Sequence, residues 1–387
     1  MSAGRGRGGP ADKLVAMTSP RIADLTTAAV GGPARHYVRA ESEHAVVDAV
    51  AAADAAGRDV LVVGGGSNLI AADAGFAGTV VHVASHGVEV LDEAPGSTLL
   101  EVQAGHSWDE LVAQAVAGGL VGIEALSGIP GTTGATPVQN VGAYGQEVAQ
   151  TVELVRAWDR HERRVREFAP ADLAFSYRDS ALKRSTVAGS PRFVVLAVRF
   201  RLGRGTESAP VRYGELARRL GVEVGERAPL GRVRETVLAL RAGKGMVLDP
   251  GDRDTYSTGS FFTNPILPAD ALGERLPADA PRFPVVDAAG RPIADRVKLS
   301  AAWLIDHAGF GKGFGLPGTR NELLDLDGAA VAGGRASLST KHTLALTNRG
   351  GASAQDLMAL ARTVRDGVAS VYGVDLVAEP VIVGTAV

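Results

Sequence analysis

The order of hydrophobic and polar positions along the chain predicts alternating helices and strands in its first third. Residues 42–57 predict a helix that begins after a capping Ser42 and ends at Gly57, and residues 107–119 predict a second helix. The segment between these helices contains two apolar, β-branched runs that predict strands, at 59–63 and 76–83. A glycine turn separates the two predicted strands.

Periodicity is lost between residues 120 and 145, where six glycines and two prolines lie within 26 positions. This composition predicts a long structured loop, and loops of that length with no element of their own are usually functional. Strand-like runs follow at 151–160 and 192–202, and a softer segment rich in arginine and glycine follows at 203–232.

Helical periodicity returns in the last third. Residues 232–244 and 298–309 predict helices, and a third helix is predicted after Ser353 because apolar residues recur on one face of it. These apolar positions are Leu357, Leu360, Val364, Val368 and Val371. The whole pattern predicts an α+β protein built in three parts.

Composition narrows the class of protein. With 45% hydrophobic and 21% charged residues, the 387-residue chain has the profile of a globular protein of two or three domains. A net charge of −3 argues against a nucleic-acid surface, and the lack of cysteine excludes disulfides, thiolate metal sites and a cysteine nucleophile. No His/Asp/Glu group has metal-ligand spacing, so no metal site is predicted. The Gly-rich N-terminus lacks the apolar core of a signal peptide and predicts a flexible tail.

A strand that runs directly into glycines is the first candidate binding site. In VLVVGGGSNLI, Gly64, Gly65 and Gly66 allow backbone amides to approach an anion, and Ser67 and Asn68 add polar donors. The spacing differs from both the Rossmann and the Walker fingerprints. The stretch therefore predicts a phosphate-binding turn, with a tight turn between two strands as the alternative.

The loop SGIPGTTGATPVQNVGAYG at 127–145 is the second candidate. It combines small residues and hydroxyls with a Gln139–Asn140 pair and almost no charge. Such a surface suits a planar, uncharged heterocycle, so the two loops together predict a dinucleotide held between two subdomains. A purely structural Ω-loop is the alternative.

Three isolated residues are candidates for chemistry. Arg178 could bind a carboxylate or phosphate, although an arginine in this setting more often forms a surface ion pair, here with Asp179. Glu379 lies in an apolar, strand-like run and is either exposed at an edge or buried for use. Ser260, in STGSFFTNP, has no local base, so it is either a weak acid shielded by two phenylalanines or part of a turn.

As an ordered set, these motifs resemble the UDP-N-acetylenolpyruvoylglucosamine reductase family, in the longer type that has a tyrosine loop. The resemblance runs from about Asp24 to the end of the chain and rests on six segments: 62–68, 129–145, 177–180, 259–265, 298–313 and the terminal glutamate. It implies a two-subdomain FAD-binding module of the vanillyl-alcohol-oxidase (PCMH) type and a C-terminal α+β substrate-binding domain. The implied divisions are a tail (1–20), FAD subdomain 1 (21–85), FAD subdomain 2 (86–225) and the substrate domain (226–387).

The resemblance also implies roles for particular residues. Arg178, Ser260 and Glu379 would be catalytic, and Tyr213, Lys244 and Asn264 would bind the substrate. Contacts to FAD would come from Gly64, Gly65, Gly66, Ser67, Asn68, Ser127, Gly128, Thr132, Thr133, Gly134, Gln139, Asn140 and Gly142. Two departures stand out: Glu379 is followed by Pro380-Val381 where the family more commonly has Val-Arg, and residues 309–315 are richer in glycine than usual.

The implied activity is an oxidoreductase that acts on a CH–CH bond with NADP as the acceptor. NADPH would reduce non-covalently bound FAD, which would pass hydride to the vinyl carbon of the UDP-sugar substrate while Ser260 supplies a proton. The product would be UDP-N-acetylmuramate, a peptidoglycan precursor, made in the cytoplasm by a monomer that contacts neither nucleic acid nor membrane. Two other functions remain open: an oxidase or dehydrogenase on the same module, which often tethers its flavin covalently, and a UDP-sugar-binding module without chemistry.

Overall fold

The computed structural model describes residues 20–286 and 291–387. The predicted tail, residues 1–20, lies outside the described residues except for Pro20. In the described part of the chain, no helix is long and apolar enough to cross a membrane. Six short 3₁₀ turns occur there, at Ile22–Leu25, Glu124–Leu126, Thr133–Ala135, Val148–Gln150, Arg253–Thr255 and Ala269–Ala271.

A small parallel sheet opens the fold, in which β4 (Phe76–Val83) lies between β1 (Ala34–Ala40) and β2 (Val60–Val63). Strand β2 is almost wholly buried, which explains its continuous apolar sequence, since strands covered on both faces do not alternate. Helix α1 begins as predicted, because the Ser42 hydroxyl accepts a hydrogen bond from the Ala45 amide at 3.2 Å. The elements here are β1 (Ala34–Ala40), α1 (Glu43–Ala55), β2 (Val60–Val63), β3 (Leu69–Ala71) and β4 (Phe76–Val83).

A larger antiparallel sheet follows, with strand order β11-β10-β14-β6-β5 and with β7 paired to β14. Helices α1 and α2 contribute to one core that joins both sheets. The elements are β5 (Val88–Ala94), β6 (Ser97–Gln103), α2 (Trp108–Ala117), β7 (Leu120–Val121), β8 (Gly142–Ala143), β9 (Gln146–Glu147), β10 (Val152–Asp159), β11 (Arg164–Phe168), α3 (Pro170–Leu173), α4 (Ala181–Arg184), β12 (Thr186–Val187), β13 (Ser190–Pro191) and β14 (Phe193–Arg204).

Two helices connect this sheet to the last part of the chain: α5 (Gly214–Leu220) and α6 (Leu230–Gly243). They form a small core of their own with Ala125 and Val211. The predicted division between residues 225 and 226 therefore falls within a segment whose helices pack on each other. The exact domain boundaries stay a prediction.

The C-terminal part has a separate core around α9 (Ala354–Tyr372). Four of the five predicted apolar positions of this helix are buried, and Val371 is partly buried. Ser353 and Asp356 form a capping box at the start of α9. The elements are β15 (Ile266–Pro268), β16 (Arg282–Val286), β17 (Pro292–Leu299), α7 (Ala301–His307), β18 (Arg320–Asn321), β19 (Leu326–Asp327), α8 (Gly328–Ala332), β20 (Ala336–Leu338), β21 (Leu346–Asn348), α9 (Ala354–Tyr372) and β22 (Val381–Val383).

The end of the chain returns to its beginning, because β22 pairs in parallel with β3 directly after the glycine loop. Just before β22, residues 377–379 run antiparallel to residues 261–263. The Glu379 amide donates to the Phe261 carbonyl at 2.8 Å, and the Thr263 amide donates to the Val377 carbonyl at 3.0 Å. This pairing brings two segments more than 100 residues apart in sequence to the same place as the glycine loop.

Candidate active site

A cleft of about 350 Å³ lies where the two sheets and the C-terminal part meet. Segments from all three parts of the chain contribute to its walls. Its lining residues fall within 61–69, 129–142, 178–195, 241–248 and 255–260, with Thr27, Val83, Ala104, Glu379 and Val381. The cleft therefore contains both glycine loops and all three candidate catalytic residues.

The two glycine loops lie so close together that a side chain has no room at Gly64 or Gly65. A Cβ on Gly64 would lie 2.2 Å from Thr132 Oγ1, and a Cβ on Gly65 would lie 2.6 Å from the Gly131 Cα. Gly66 has a φ of +57°, and a Cβ there would lie 1.8 Å from the Leu25 carbonyl oxygen. Glycine is thus required for conformation and for space, and its backbone lines the cleft.

Polar side chains link the loops to each other. The Ser67 hydroxyl donates to the Pro130 carbonyl at 2.9 Å, and the Asn68 amide nitrogen donates to Gln139 Oε1 at 2.8 Å. The Asn68 carbonyl accepts from the Val381 amide at 2.9 Å, which ties the C-terminal strand to the same wall. These side chains line the cleft, as predicted, but their hydrogen bonds fix the wall in place before any ligand binds.

Four of the residues predicted to contact a cofactor are absent from the cleft lining: Ser127, Gly128, Thr133 and Asn140. Their polar groups are used within the protein. Ser127 Oγ donates to the Glu124 carbonyl, Thr133 Oγ1 donates to the His106 carbonyl, and the Gly128 amide donates to Asp109 Oδ1. The Asn140 amide nitrogen donates to Glu147 Oε2. The structure gives these groups a role in holding the loop, and direct contact with a cofactor stays a prediction for them.

Arg178 and Glu379 form an ion pair in the cleft. The Arg178 Nε lies 3.1 Å from Glu379 Oε1, with the side chains 22% and 13% exposed. Asp179 pairs with Arg184 instead, so the alternative of a surface ion pair between Arg178 and Asp179 is not what forms. Arg178 also donates from Nη2 to the Gly142 carbonyl at 2.7 Å, which orients the guanidinium. Glu379 is buried and not exposed at an edge.

The backbone at Arg178 adopts a left-handed conformation, with a φ of +56°. The Lys183 Nζ donates to the Arg178 carbonyl at 2.9 Å and so supports a conformation that is uncommon outside glycine. Lys183 also lines the cleft, although it was not among the residues predicted from the sequence. Burial raises the pKa of Glu379, while Arg178 and Lys183 act to lower that pKa.

Ser260 lines the cleft and directly precedes residues 261–263, the segment that pairs with residues 377–379. Its two phenylalanine neighbours do not line the cleft. Phe261 and Phe262 are both 1% exposed and belong to the C-terminal core, with ring centroids 5.0 Å apart. The expected shielding of Ser260 by these rings is therefore wrong in its detail: they anchor the segment, and the backbone pairing positions the serine.

Two buried polar atoms in the cleft lack a hydrogen-bond partner in the described part of the chain: Arg241 Nε and Thr258 Oγ1. Arg241 is 9% exposed, and burial lowers the pKa of its guanidinium. Buried polar groups are nearly always satisfied, so both atoms indicate that a polar ligand completes this site. The sequence offered a signal for Arg241, since it follows Val233 and Val237 on the buried face of α6.

Two family models match the chain. One, described as FAD binding domain, matches residues 34–166, and the other, described as UDP-N-acetylenolpyruvoylglucosamine reductase, C-terminal domain, matches residues 249–383. UDP-N-acetylenolpyruvoylglucosamine reductase of Cutibacterium acnes is 50% identical over 366 residues, with 95% of this chain and 90% of the relative covered. The protein of the same name from Nocardia farcinica is 53% identical over 366 residues, with 94% and 88% covered. The chain belongs to the UDP-N-acetylenolpyruvoylglucosamine reductase family.

The predicted fold class is confirmed. A crystal structure described as UDP-N-acetylenolpyruvylglucosamine reductase from Thermus caldophilus superimposes with a TM-score of 0.60 at 24% identity, covering 94% of this chain and 97% of the other. The architecture is thus an FAD-binding module of the vanillyl-alcohol-oxidase type with a C-terminal domain of the reductase family. The cleft lies between the segments that the two family models match.

FAD fits the cleft by two features of this structure. The glycine wall at 64–66 has no room for a Cβ, as expected for a surface that a flat or phosphorylated group approaches closely, and Arg241 and Thr258 offer unpaired donors. No histidine is among the described residues that line the cleft, and the chain has no cysteine, so the side chains that tether flavins covalently are absent from the described lining.

The residues predicted to bind substrate do not line the cleft, and two of them lie together. The Lys244 Nζ is 2.9 Å from Glu215 Oε2 and 5.9 Å from the centroid of the Tyr144 ring. Tyr213 contacts that same ring, edge to face, at 5.5 Å. Asn264 Oδ1 accepts from the Ala301 amide at the start of α7. Asn264 also hydrogen-bonds with Tyr177, the residue next to Arg178. Burial raises the pKa of Tyr177, and the hydrogen bonds with Asn264 act to lower that pKa.

We expect a Gly66→Ala variant to lose most of its bound flavin. The new methyl group would meet the Leu25 carbonyl and impose a side chain on a positive φ, so the loop must shift. The ratio of flavin to protein absorbance after purification measures the effect. Gly231→Ala is the matched control, because Gly231 is exposed in α6 with nothing within 4 Å of a Cβ. Full flavin content in Gly66→Ala would contradict a role for this wall in binding the cofactor.

Proposed function

We propose that this protein is an NADPH-dependent reductase that converts the enolpyruvyl ether of UDP-N-acetylglucosamine to UDP-N-acetylmuramate. The observation that carries the proposal is the convergence of Arg178, Glu379 and Ser260 in one cleft with the flavin-type loops. The names of its relatives, which are half identical to it over nearly their full length, support the same substrate. The reaction belongs to peptidoglycan precursor synthesis.

The cofactor is non-covalent FAD, which when bound would relay a hydride from NADPH to the terminal vinyl carbon of the substrate. Residues 64–68 and the cleft-facing part of the 127–142 loop hold it, and Arg241 and Thr258 supply the donors that are unpaired in the protein alone. Reduction of the vinyl carbon leaves negative charge on the adjacent carbon and its carboxylate. The protein must bind that carboxylate and supply one proton.

Arg178 is the residue that binds the substrate carboxylate. Its guanidinium is held by the Gly142 carbonyl and by Glu379, so its orientation is set before substrate arrives. A fixed cation beside developing negative charge stabilises the transition state at little reorganisation cost. Glu379 orients Arg178 through the 3.1 Å contact, and the raised pKa of Glu379 increases the fraction of this carboxyl that is protonated and can itself donate to an oxygen of the substrate.

Ser260 donates the proton to the substrate carbon next to the carboxylate. A serine hydroxyl is a weak acid, so it suits only a strongly basic carbon placed within hydrogen-bond reach. The pairing of residues 261–263 with 377–379 holds Ser260 on the same wall of the cleft as Glu379. The donor therefore lies in a bend that the adjacent backbone pairing holds in place.

The UDP part of the substrate is bound by Lys244 and Asn264, and Tyr213 closes over it. Lys244 is paired with Glu215 here, so binding of a diphosphate requires that cation to exchange one anionic partner for another. The Tyr213 ring contacts that of Tyr144, but the residue as a whole is 41% exposed, so its side chain has room to move. We further propose a cytoplasmic monomer whose partners are the nucleotide sugar and NADPH, with no nucleic acid and no membrane insertion.

The test is spectroscopic and uses the full-length protein. We expect a yellow protein whose flavin absorbance near 450 nm is bleached by NADPH without oxygen and restored by the enolpyruvyl substrate. In steady state, loss of nicotinamide absorbance should depend on that substrate. A protein that stays colourless after incubation with FAD would exclude the flavoenzyme, and NADPH oxidation that needs oxygen but not the UDP-sugar would indicate an oxidase instead.

A further inference from the structure

A group of metal-ligating side chains lies outside the cleft, on the surface of the FAD-binding module. His86 follows β4, His106 precedes α2, and Glu110 lies in the first turn of α2. One ligand atom from each lies within 4.8 Å of the other two, and the two imidazole rings have centroids 4.2 Å apart. The sequence spacing did not predict this site, because His86 is 20 residues from His106 and only the fold brings them together.

His106 is the residue that points to a ligand. It is 1% exposed, and neither its Nδ1 nor its Nε2 has a hydrogen-bond partner in the described part of the chain. A buried imidazole with two unsatisfied nitrogens loses its hydrogen bonds to water without replacement, which is costly. The cofactor does not explain it, since His106 is not among the residues that line the cleft.

The chemistry of the group suits a borderline divalent metal. The imidazoles of His86 and His106, whose ring centroids lie 4.2 Å apart, are nitrogen donors of the kind that zinc binds. Glu110, 3.5 Å from the His86 Nε2, provides a negative oxygen. Two imidazoles and one carboxylate are a common protein ligand set for zinc, with water in the fourth position.

We propose that His86, His106 and Glu110 bind one zinc ion. Tetrahedral zinc with ligands at about 2.0–2.1 Å needs ligand atoms about 3.4 Å apart. The ligand atoms lie within 4.8 Å of one another, so they must approach by up to about 1.4 Å. The side chains of His86 and Glu110 are 61% and 48% exposed and can make that movement, while His106 provides a fixed ligand.

The ion would join the segment after β4 to the start of α2. This junction contacts the second glycine loop, because the His106 carbonyl accepts hydrogen bonds from both the amide and the hydroxyl of Thr133, at 2.8 and 3.1 Å. The zinc would thus brace the base of the second glycine loop from outside. It plays no part in the proposed reduction, and the proposal does not depend on that function.

The experiment measures zinc binding to untagged, full-length protein with its flavin bound. Equilibrium dialysis with zinc alone should give one ion per chain, and zinc X-ray absorption should show two imidazole ligands. In His86→Ala the affinity should fall at least tenfold and one imidazole should disappear, while Glu110→Ala should weaken binding and keep both imidazoles. Both changes are on exposed side chains, so folding is preserved.

His44→Ala is the matched control, because His44 is an exposed histidine paired with Asp48 at 3.3 Å on α1 and could capture zinc by itself. It should leave the stoichiometry and the affinity unchanged. Less than half an ion per wild-type chain, zinc binding that is equal in wild type, His86→Ala and Glu110→Ala, or zinc that only His44→Ala removes would each overturn the proposal.

Discussion

Ser260→Ala is expected to accept reducing equivalents from NADPH at nearly the wild-type rate, but to reduce the enolpyruvyl substrate about 10²–10⁴-fold more slowly. Only the second half-reaction needs a proton on carbon. Stopped-flow measurement of flavin bleaching by NADPH, and then of the return of flavin absorbance on mixing with substrate, separates the two halves. Because the hydroxyl is the proton source, the loss should appear in the maximal rate more than in the affinity for substrate.

Ser260→Ala should remove the hydroxyl with little effect on the stability of the fold. Within the described residues, the Ser260 hydroxyl makes no hydrogen bond, so its removal leaves no partner unsatisfied, and we expect the free energy of unfolding to change by no more than about 0.5 kcal/mol. Ser370→Ala, an exposed serine of α9, is the control for serine loss. Ser260→Cys retains a donor and should keep part of the second half-reaction. Equal slowing of both half-reactions by Ser260→Ala would exclude a role as proton donor.

The elements that the sequence predicted well are those decided by neighbouring residues. Ser42, Ser107 and Ser353 each accept a hydrogen bond from the backbone amide three residues on, at 3.2, 3.4 and 3.1 Å, and each begins a helix where its pattern indicated. The glycine loop at 64–66 was likewise predictable, since tight turns and close backbone approach depend on the absence of a Cβ. A few neighbouring residues are enough to determine local geometry of this kind.

The contacts that escaped prediction join distant segments. Asn68 lines the cleft, where a cofactor contact stays a prediction, and the sequence did not predict that its side chain bonds to Gln139, which is 71 positions away. Arg241 was not among the predicted site residues, yet it lines the cleft and its Nε is buried without a partner in the described part of the chain. A side chain's partner depends on which elements the fold brings together, and spacing along the chain does not contain that information.

The candidate site could be predicted from the sequence only in part. Family resemblance placed Arg178, Ser260 and Glu379 together, whereas their residues alone left each with a structural alternative. The structure selects between some of these alternatives, because Arg178 pairs with Glu379 and not with Asp179, and Glu379 is buried. Their catalytic roles remain predictions that substitution must test.

Arg178→Met is expected to slow the second half-reaction by about 10²–10³-fold, the usual effect of losing one preorganised donor to developing negative charge. Methionine fills much of the same space but carries no charge. Reduction by NADPH should suffer less, because that step places no carboxylate beside residue 178. The same stopped-flow separation of the two half-reactions measures both effects. An equal loss in both would indicate that Arg178 serves the fold or the flavin instead of the substrate carboxylate.

The ion pair also affects stability, and this provides the decisive comparison. In Arg178→Met, Glu379 loses its partner, so we expect a cost of about 1.5–3 kcal/mol in the free energy of unfolding, a typical value for a charged hydrogen bond. Burial already raises the pKa of Glu379, and loss of Arg178 raises that pKa further. The folded protein then retains a proton that the unfolded chain releases, so the contribution of Glu379 to stability is greatest below its unfolded-state pKa and is lost as pH rises through its folded-state pKa.

Arg178→Met/Glu379→Gln removes the unpaired carboxylate together with the cation. Thermal unfolding across pH should show that the double variant regains much of the lost stability and is less sensitive to pH than Arg178→Met. Its second half-reaction should nevertheless stay about 10²-fold or more below that of wild type, because no cation remains for the substrate carboxylate. If rate returned together with stability, the pair would be a structural link between the 178 segment and the C-terminal strand, and the substrate carboxylate would have to bind elsewhere in the cleft.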